Sequence, residues 1–449
     1  VRSLDGAVAE PHELDPAHLQ THAVVTGMTG SGKTGLLLVL VEEAIRAGTA
    51  VLLFDVKGDL ANLGLTVRPD AAAEYAPWLT SDGGIDVEAR AATLASERPK
   101  SLATWQLDGS HVRALRERCA LRILTPGSVA GEPINLLSSL DCPLDRWTRD
   151  TETARDRLCA ALSMILRLLR RDADPASSRE HVLLATIAEH QITRGAGCSL
   201  ESLLRALEAP PIESIGALTV DDFVAPNERR ELAAALNALL ASPSFAAWRT
   251  GTALDVGEWL RPREDRRAPA VIVSLSHLDD DERIETLAVL LEEARAWVRT
   301  LPGTDALRAL IVLDEAYGLL PPHPANPPTR RPLVSLLKQG RAYGVGLVVA
   351  TQNPMDLDYR ALSNAGLWFV GRLQTDGDRK RVIEGLTAES SAKSVGKSLS
   401  ATVRNLKARW FVLRNAREGD QCWLFRPRDT LCWLRGPMTR EDLRRLRDR

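Results

Sequence analysis

Glycine, lysine and threonine set close together can wrap backbone N–H groups and a cation around a phosphate. The stretch Gly27-Met28-Thr29-Gly30-Ser31-Gly32-Lys33-Thr34 has them in the order G-x-x-x-x-G-K-[ST]. Its glycines let amide groups point inward at phosphate oxygens. A helix that starts there turns its positive dipole end to the same anion. Gly27, Thr29, Gly30, Ser31, Gly32, Lys33, Thr34 and Gly35 are therefore the nucleotide-binding candidates. Lys33 is expected to reach the β- and γ-phosphates of ATP, and Thr34 to offer its hydroxyl to Mg²⁺. Far along the chain, Ala309-Leu310-Ile311-Val312-Leu313 ends in two adjacent acids, Asp314 and Glu315, the form of a Walker B strand. Asp314 is expected to hold Mg²⁺ through water. Glu315 is expected to polarise the attacking water as general base. A second apolar run, residues 344–350, leads to Thr351-Gln352, where the Gln352 amide can contact the γ-phosphate or the water. The expected chemistry is hydrolysis of ATP, with ATP and Mg²⁺ as cofactors.

These groups need strands that end where the groups begin. Ala23-Val24-Val25 precedes the glycine loop, and Leu36-Leu37-Leu38-Val39-Leu40-Val41 follows it as a buried helix. Gly48 stands where a helix C-cap glycine belongs. Residues 50–55 read as a second buried strand that ends in the charged turn Asp55-Val56-Lys57-Gly58-Asp59. Ligands of open α/β sheets collect at that edge, so Asp55 and Asp59 are candidates for metal-water or phosphate contacts. Capping of the following backbone N–H groups is an equal reading. Residues 121–124, 270–275 and 367–372 read as further strands, the last ending in Arg372. Pro321 to Pro328 makes a stiff connection that is neither helix nor central strand. Residues 145–260 carry helical spacing almost throughout, with Pro210-Pro211 as a joint. Gly83-Gly84 interrupts an earlier helical stretch. Residues 410–413 and 422–425 flank a loop, as in a β-hairpin.

Composition sets the bounds. With 449 residues, 45% hydrophobic and 26% charged, the chain is long enough for two or three core-bearing units. No apolar run approaches the roughly 18 residues of a membrane span, and no membrane contact is expected. The six cysteines are scattered without metal-ligand spacing and read as reduced thiols of a cytoplasmic protein. Net charge is −2, but residues 371–449 hold 19 Lys/Arg against 10 Asp/Glu. That segment could meet a phosphate backbone, or be a solvated arginine-rich surface.

The combined motifs resemble those of the HerA/FtsK superfamily of P-loop ATPases, and bacterial HerA-like ATP-binding proteins in particular. The stretches that carry the resemblance are residues 22–35, 55–64, 314–322, 337–357 and 364–386. It implies a RecA-like core with a mostly parallel sheet, interrupted by a helical insertion domain and followed by a C-terminal β-hairpin. It further implies a homohexameric ring with ATP at subunit boundaries and DNA in the central channel. Arg341 and Arg372 lie near where such proteins keep catalytic arginines, either of which could act in cis or in trans. HerA proper carries a β-barrel before the P-loop. Here about 20 residues precede the motif and the first is not Met, so the chain reads as trimmed or as a fragment.

The expected organisation is an arm (1–20), a first core part (21–140), a helical insertion (141–268), a second core part (269–390) and a basic C-terminal segment with the hairpin (391–449). Two functions of different class follow. One is a ring-forming DNA translocase or helicase that meets DNA without sequence preference through basic loops. The other is an ATP-gated oligomeric switch that recruits an effector such as a nuclease, as in antiviral defence. Stimulation of ATP hydrolysis by DNA separates them.

Overall fold

The computed structural model describes residues 2–3, 13–79, 86–362, 365–387, 393–419 and 422–448. Gly83-Gly84 and half of the expected N-terminal arm (1 and 4–12) lie outside these. In chain order the strands are β1 (Arg2–Ser3), β2 (Ala23–Thr26), β3 (Ala50–Asp55), β4 (Cys119–Leu124), β5 (Ile134–Asn135), β6 (Ser214–Ile215), β7 (Leu218–Thr219), β8 (Thr252–Ala253), β9 (Ala268–Ser274), β10 (Ala309–Leu313), β11 (Val345–Thr351), β12 (Leu367–Val370), β13 (Phe411–Asn415) and β14 (Cys422–Phe425).

Ten of them form one sheet in the order β1-β14-β13-β12-β2-β11-β10-β3-β9-β4. The run from β12 to β9 is parallel. Its strands read as unbroken apolar runs because every residue of β2, β3, β9, β10, β11 and β12 is buried. The expected hairpin is β13–β14, which adds antiparallel strands to the β12 edge, followed by β1. Register decides what comes together. Thr26 pairs with Thr351, Leu313 with Val349, and Leu313 with Phe54. Gly27, Gln352 and Asp314, which follow three of these strand ends, and Asp55, the last residue of β3, therefore share one edge.

The chain divides into two compact units. One holds the sheet: Val1–Ile123, Glu258–His277 and Leu301–Arg449. The other is Leu124–Gly257 with Leu278–Thr300. The composition-based boundaries 141–268 and 269–390 thus differ from the structural ones, chiefly at the helix Asp280–Thr300. That helix pairs with Thr151–Leu168 inside the helical unit through Arg295–Asp156, Arg157–Glu293 and Arg167–Glu285. Its acids look like an ordinary polar face in sequence, and only the arginines opposite show where it belongs.

The basic C-terminal stretch belongs to the sheet unit, where some of its arginines act as internal staples. Arg428 pairs with Glu42 and Glu43, and the fully buried Glu42 carboxylate also accepts from the N–H groups of Leu431 and Cys432. Arg409 pairs with Asp429, Arg435 with Asp442, and Arg379 with Asp376. The stretch then reaches the Lys57 turn, where Met438 N donates to Gly58 O at 3.0 Å. Among the described residues of the stretch, Arg372, Lys380, Arg381, Arg404, Lys407, Arg417, Arg426, Arg440, Arg444 and Arg447 stay exposed.

Candidate active site

The glycine loop leaves β2 and enters the helix Lys33–Arg46. Gly30 and Gly32 have φ of 76° and 98°, a left-handed backbone that side chains disfavour. A Cβ on Gly30 or Gly35 would meet open space, whereas one on Gly27 would stand 2.7 Å from Ser31 Oγ. The loop is thus packed on its outside and clear over Gly30. The first intrahelical bond here runs from Leu36 N to Gly32 O, so the amides of Lys33, Thr34 and Gly35 open the helix without helical acceptors. Lys33 is folded onto its own loop, its Nζ donating to Gly27 O at 2.6 Å and Met28 O at 3.2 Å. Burial brings its pKa down to about 8, against the raising effect of Glu315. Ser31 Oγ is buried and has no hydrogen-bond partner.

On the neighbouring strand ends, Gln352 Nε2 donates to Glu315 Oε2 at 2.6 Å. Thr29 Oγ1 of the glycine loop donates in turn to Gln352 Oε1. Lys57 Nζ donates to the same Glu315 Oε2 at 2.5 Å. The structure thus joins Lys57, Glu315, Gln352 and Thr29 in one chain of polar contacts. Asp314 is 3% exposed and its Oδ2 has no hydrogen-bond partner. Burial lifts its carboxyl to about 6, while the charge of Lys57 acts the other way. A buried carboxylate oxygen with nothing bound to it suits a cation. Among the described residues no group of three or more His, Cys, Asp or Glu could hold a metal. Mg²⁺ is a cation that keeps waters and takes few protein ligands beside substrate phosphates, and Asp314 has the chemistry of such a ligand.

The two readings of the charged turn separate. Asp55 is a cap: its two oxygens accept from Gly58 N at 2.8 Å and Ala61 N at 2.9 Å, fully buried. Burial raises its pKa to about 7. Asp59 acts electrostatically on Asp314 and makes no side-chain cap bond. Lys57, between them, is the site residue that motif reading passed over. Its only signal was position, a cation in a turn at the active edge of the sheet.

The two arginines part company. Arg372 follows Gly371 at the end of β12, and its carbonyl accepts from Met28 N of the glycine loop at 2.8 Å, its side chain exposed. Arg341 is exposed in the turn Gly340–Tyr343 before β11, near His22. That is the opposite edge of the sheet, about 20 Å from the glycine loop by the rise of the intervening strand. One copy of the chain therefore does not bring Arg341 to its own glycine loop. Arg409 was not foreseen. Its N–H donates to Ser31 O at 2.8 Å, and its Cα would lie 3.2 Å from a Cβ on Gly32.

Residues 8–110 match the family model "Helicase HerA, central domain". Over 92 residues the chain is 29% identical to the DNA double-strand break repair helicase HerA of Sulfurisphaera tokodaii, a match spanning 20% of this chain and 18% of that protein. The structure is similar to VirB4 of Thermoanaerobacter pseudethanolicus, with TM-score 0.53 and 14% identity over 95% of this chain and 94% of the other. It is also similar to the plasmid coupling protein TrwB in complex with ADP and Mg²⁺, with TM-score 0.53 and 15% identity over 96% and 92% of the chains. Across the described residues no helix is long and apolar enough to cross a membrane. The matched segment holds the glycine loop and the Lys57 turn, so the similarity to HerA is carried by that segment, and the likeness to VirB4 and TrwB is one of fold, which supplies the remaining strand ends.

Proposed function

We propose that the chain hydrolyses ATP and uses the cycle to move DNA, in a ring of like subunits. The observation that carries the hydrolytic reading is the contact chain from Glu315 through Gln352 to Thr29, which ties the Walker B acid to the phosphate loop across 323 residues of sequence at its far end. The amides of the loop and Lys33 hold the phosphates, and Lys33 exchanges its bonds to Gly27 O and Met28 O for phosphate oxygens. Thr34 and Asp314 hold Mg²⁺, which when bound neutralises phosphate charge. Glu315 takes the proton of the attacking water, and Gln352 orients that water against the γ-phosphate.

Arg341, remote from its own glycine loop, serves the site of a neighbouring subunit, whereas Arg372 serves its own. Arg341→Ala then keeps ATP binding and loses about 10³–10⁵-fold in turnover. Mixing it with Lys33→Ala subunits restores part of the activity, because each supplies what the other lacks. Unchanged turnover in Arg341→Ala would remove this assignment.

The DNA reading rests on the name of the HerA relative and on the exposed cations Arg372, Lys380, Arg404 and Lys407. Phosphate contacts carry no sequence information, so binding is without sequence preference and falls steeply with salt. The test is ATP turnover with and without DNA at low salt. Stimulation supports a motor. Turnover with neither DNA affinity nor stimulation leaves an ATPase of another use. The matched relatives do not favour an effector-recruiting switch.

A further inference from the structure

We propose that Lys57 is a positioning residue of the hydrolytic step, holding the Glu315 carboxylate in place for the attacking water. The inference rests on the hydrolytic reading above. Glu315 has φ 58°, a left-handed backbone that no glycine relieves here. The carboxylate is 15% exposed, so little solvent orders it. Two donors fix it instead, Lys57 Nζ at 2.5 Å and Gln352 Nε2 at 2.6 Å, both on Oε2.

Lys57 itself has little freedom to drift. Its turn is tied inside by the Asp55 carboxylate, through Gly58 N and Ala61 N. It is tied outside by Met438 N on Gly58 O, and a Cβ on Gly58 would press on Met438 at 3.3 Å. A flexible surface lysine that met a glutamate by chance would lack both anchors. Lys57 also acts electrostatically on Lys33 and Asp314, so its charge is felt across the whole edge. The role is to orient: the proton from water still goes to Glu315, and Lys57 neither gains nor loses one.

The experiment compares wild type, Lys57→Met and Lys57→Arg in steady-state ATP hydrolysis, with affinity for a fluorescent ATP analogue and thermal melting in parallel. Lys57→Met is expected to lower kcat at least about tenfold, a fraction of what general-base catalysis supplies, with nucleotide affinity within about threefold of wild type. Lys57→Arg, which keeps a cation in reach, recovers most of the loss and guards against a folding artefact in the Met variant. Turnover by Lys57→Met at or above the wild-type rate overturns the proposal, since the lysine would then be idle or a restraint. Affinity lost in step with turnover overturns it too, because Lys57 would then be a phosphate contact. A wild type that hydrolyses no ATP overturns the hydrolytic reading itself, and is distinguished by needing no variant.

Discussion

In the helical unit, Arg295 donates to Glu292 at 2.6 Å and to Asp156 at 2.5 Å from within a helix, all three nearly buried. At the edge of the sheet, Lys57 reaches Glu315 from a turn, and Asp314 beside it keeps an oxygen without a partner. Both places hold carboxyls that burial pushes upward, Glu285 and Glu293 to about 7 and Asp314 to about 6. What differs is closure. Arginines on two packed helices face these acids, Arg157 against Glu293 and Arg167 against Glu285, so each raised carboxyl has a cation of its own. Lysines on strand-end loops, with left-handed glycines and an orphaned oxygen, leave capacity for a ligand. Perturbed carboxyls alone do not mark a site: Glu293 Oε2 and Asp314 Oδ2 both lack a hydrogen bond, and what sets Asp314 apart among the described residues is that it has no ion-pair partner and stands beside the open glycine loop.

The strongest way to break this contrast is to remove the chemistry while keeping the shape. Glu315→Gln can still accept from Lys57 but cannot take a proton. Turnover is expected to fall about 10²–10⁴-fold with the nucleotide still bound. Near-normal single-turnover hydrolysis by this variant would place the base elsewhere.

The same logic runs the other way in the helical unit. Arg295→Met leaves Glu292 and Asp156 without their shared cation in a buried seam, at a cost of about 3–5 kcal/mol to folding. Urea unfolding should show that loss, while turnover per folded molecule stays at the wild-type level. A marked fall in turnover of the folded fraction would mean that the seam is more than structural.

Much of this was legible before any coordinates. The strands at 50–55 and 309–313 appear with those bounds because parallel strands buried on both faces are plain apolar runs. Gly27 to Thr34, Asp314, Glu315 and Gln352 stand out as candidates because phosphate and water chemistry would restrict which residues can stand at a strand end. Three things were not legible. Lys57 sits in a turn where either aspartate looked the better candidate, and only the 2.5 Å bond to Glu315 selects it. Residues 280–300 have an amphipathic pattern that does not say which unit they join. The arginines of 371–449 look like a cationic surface, yet Arg379, Arg409, Arg428 and Arg435 staple the fold. A charge count does not see which cations pair inside the fold, whether with a near acid such as Asp376 or a distant one such as Glu42.

The smallest predicted effect tests how far the open cluster depends on charge. Thr29→Val removes a neutral hydrogen bond, the one from Thr29 Oγ1 to Gln352 Oε1, and keeps the volume of the side chain. Lys57 and Gln352 still hold Glu315, so the acid stays in place. The Gln352 amide loses only the contact on its far side. A neutral hydrogen bond is worth about 0.5–1.5 kcal/mol, so kcat is expected to fall about two- to tenfold, with nucleotide affinity close to wild type. A loss as large as that of Glu315→Gln would mean that Gln352 is held mainly from the glycine loop. The order of importance along the contact chain would then run from the phosphates outward instead of from the charged pair.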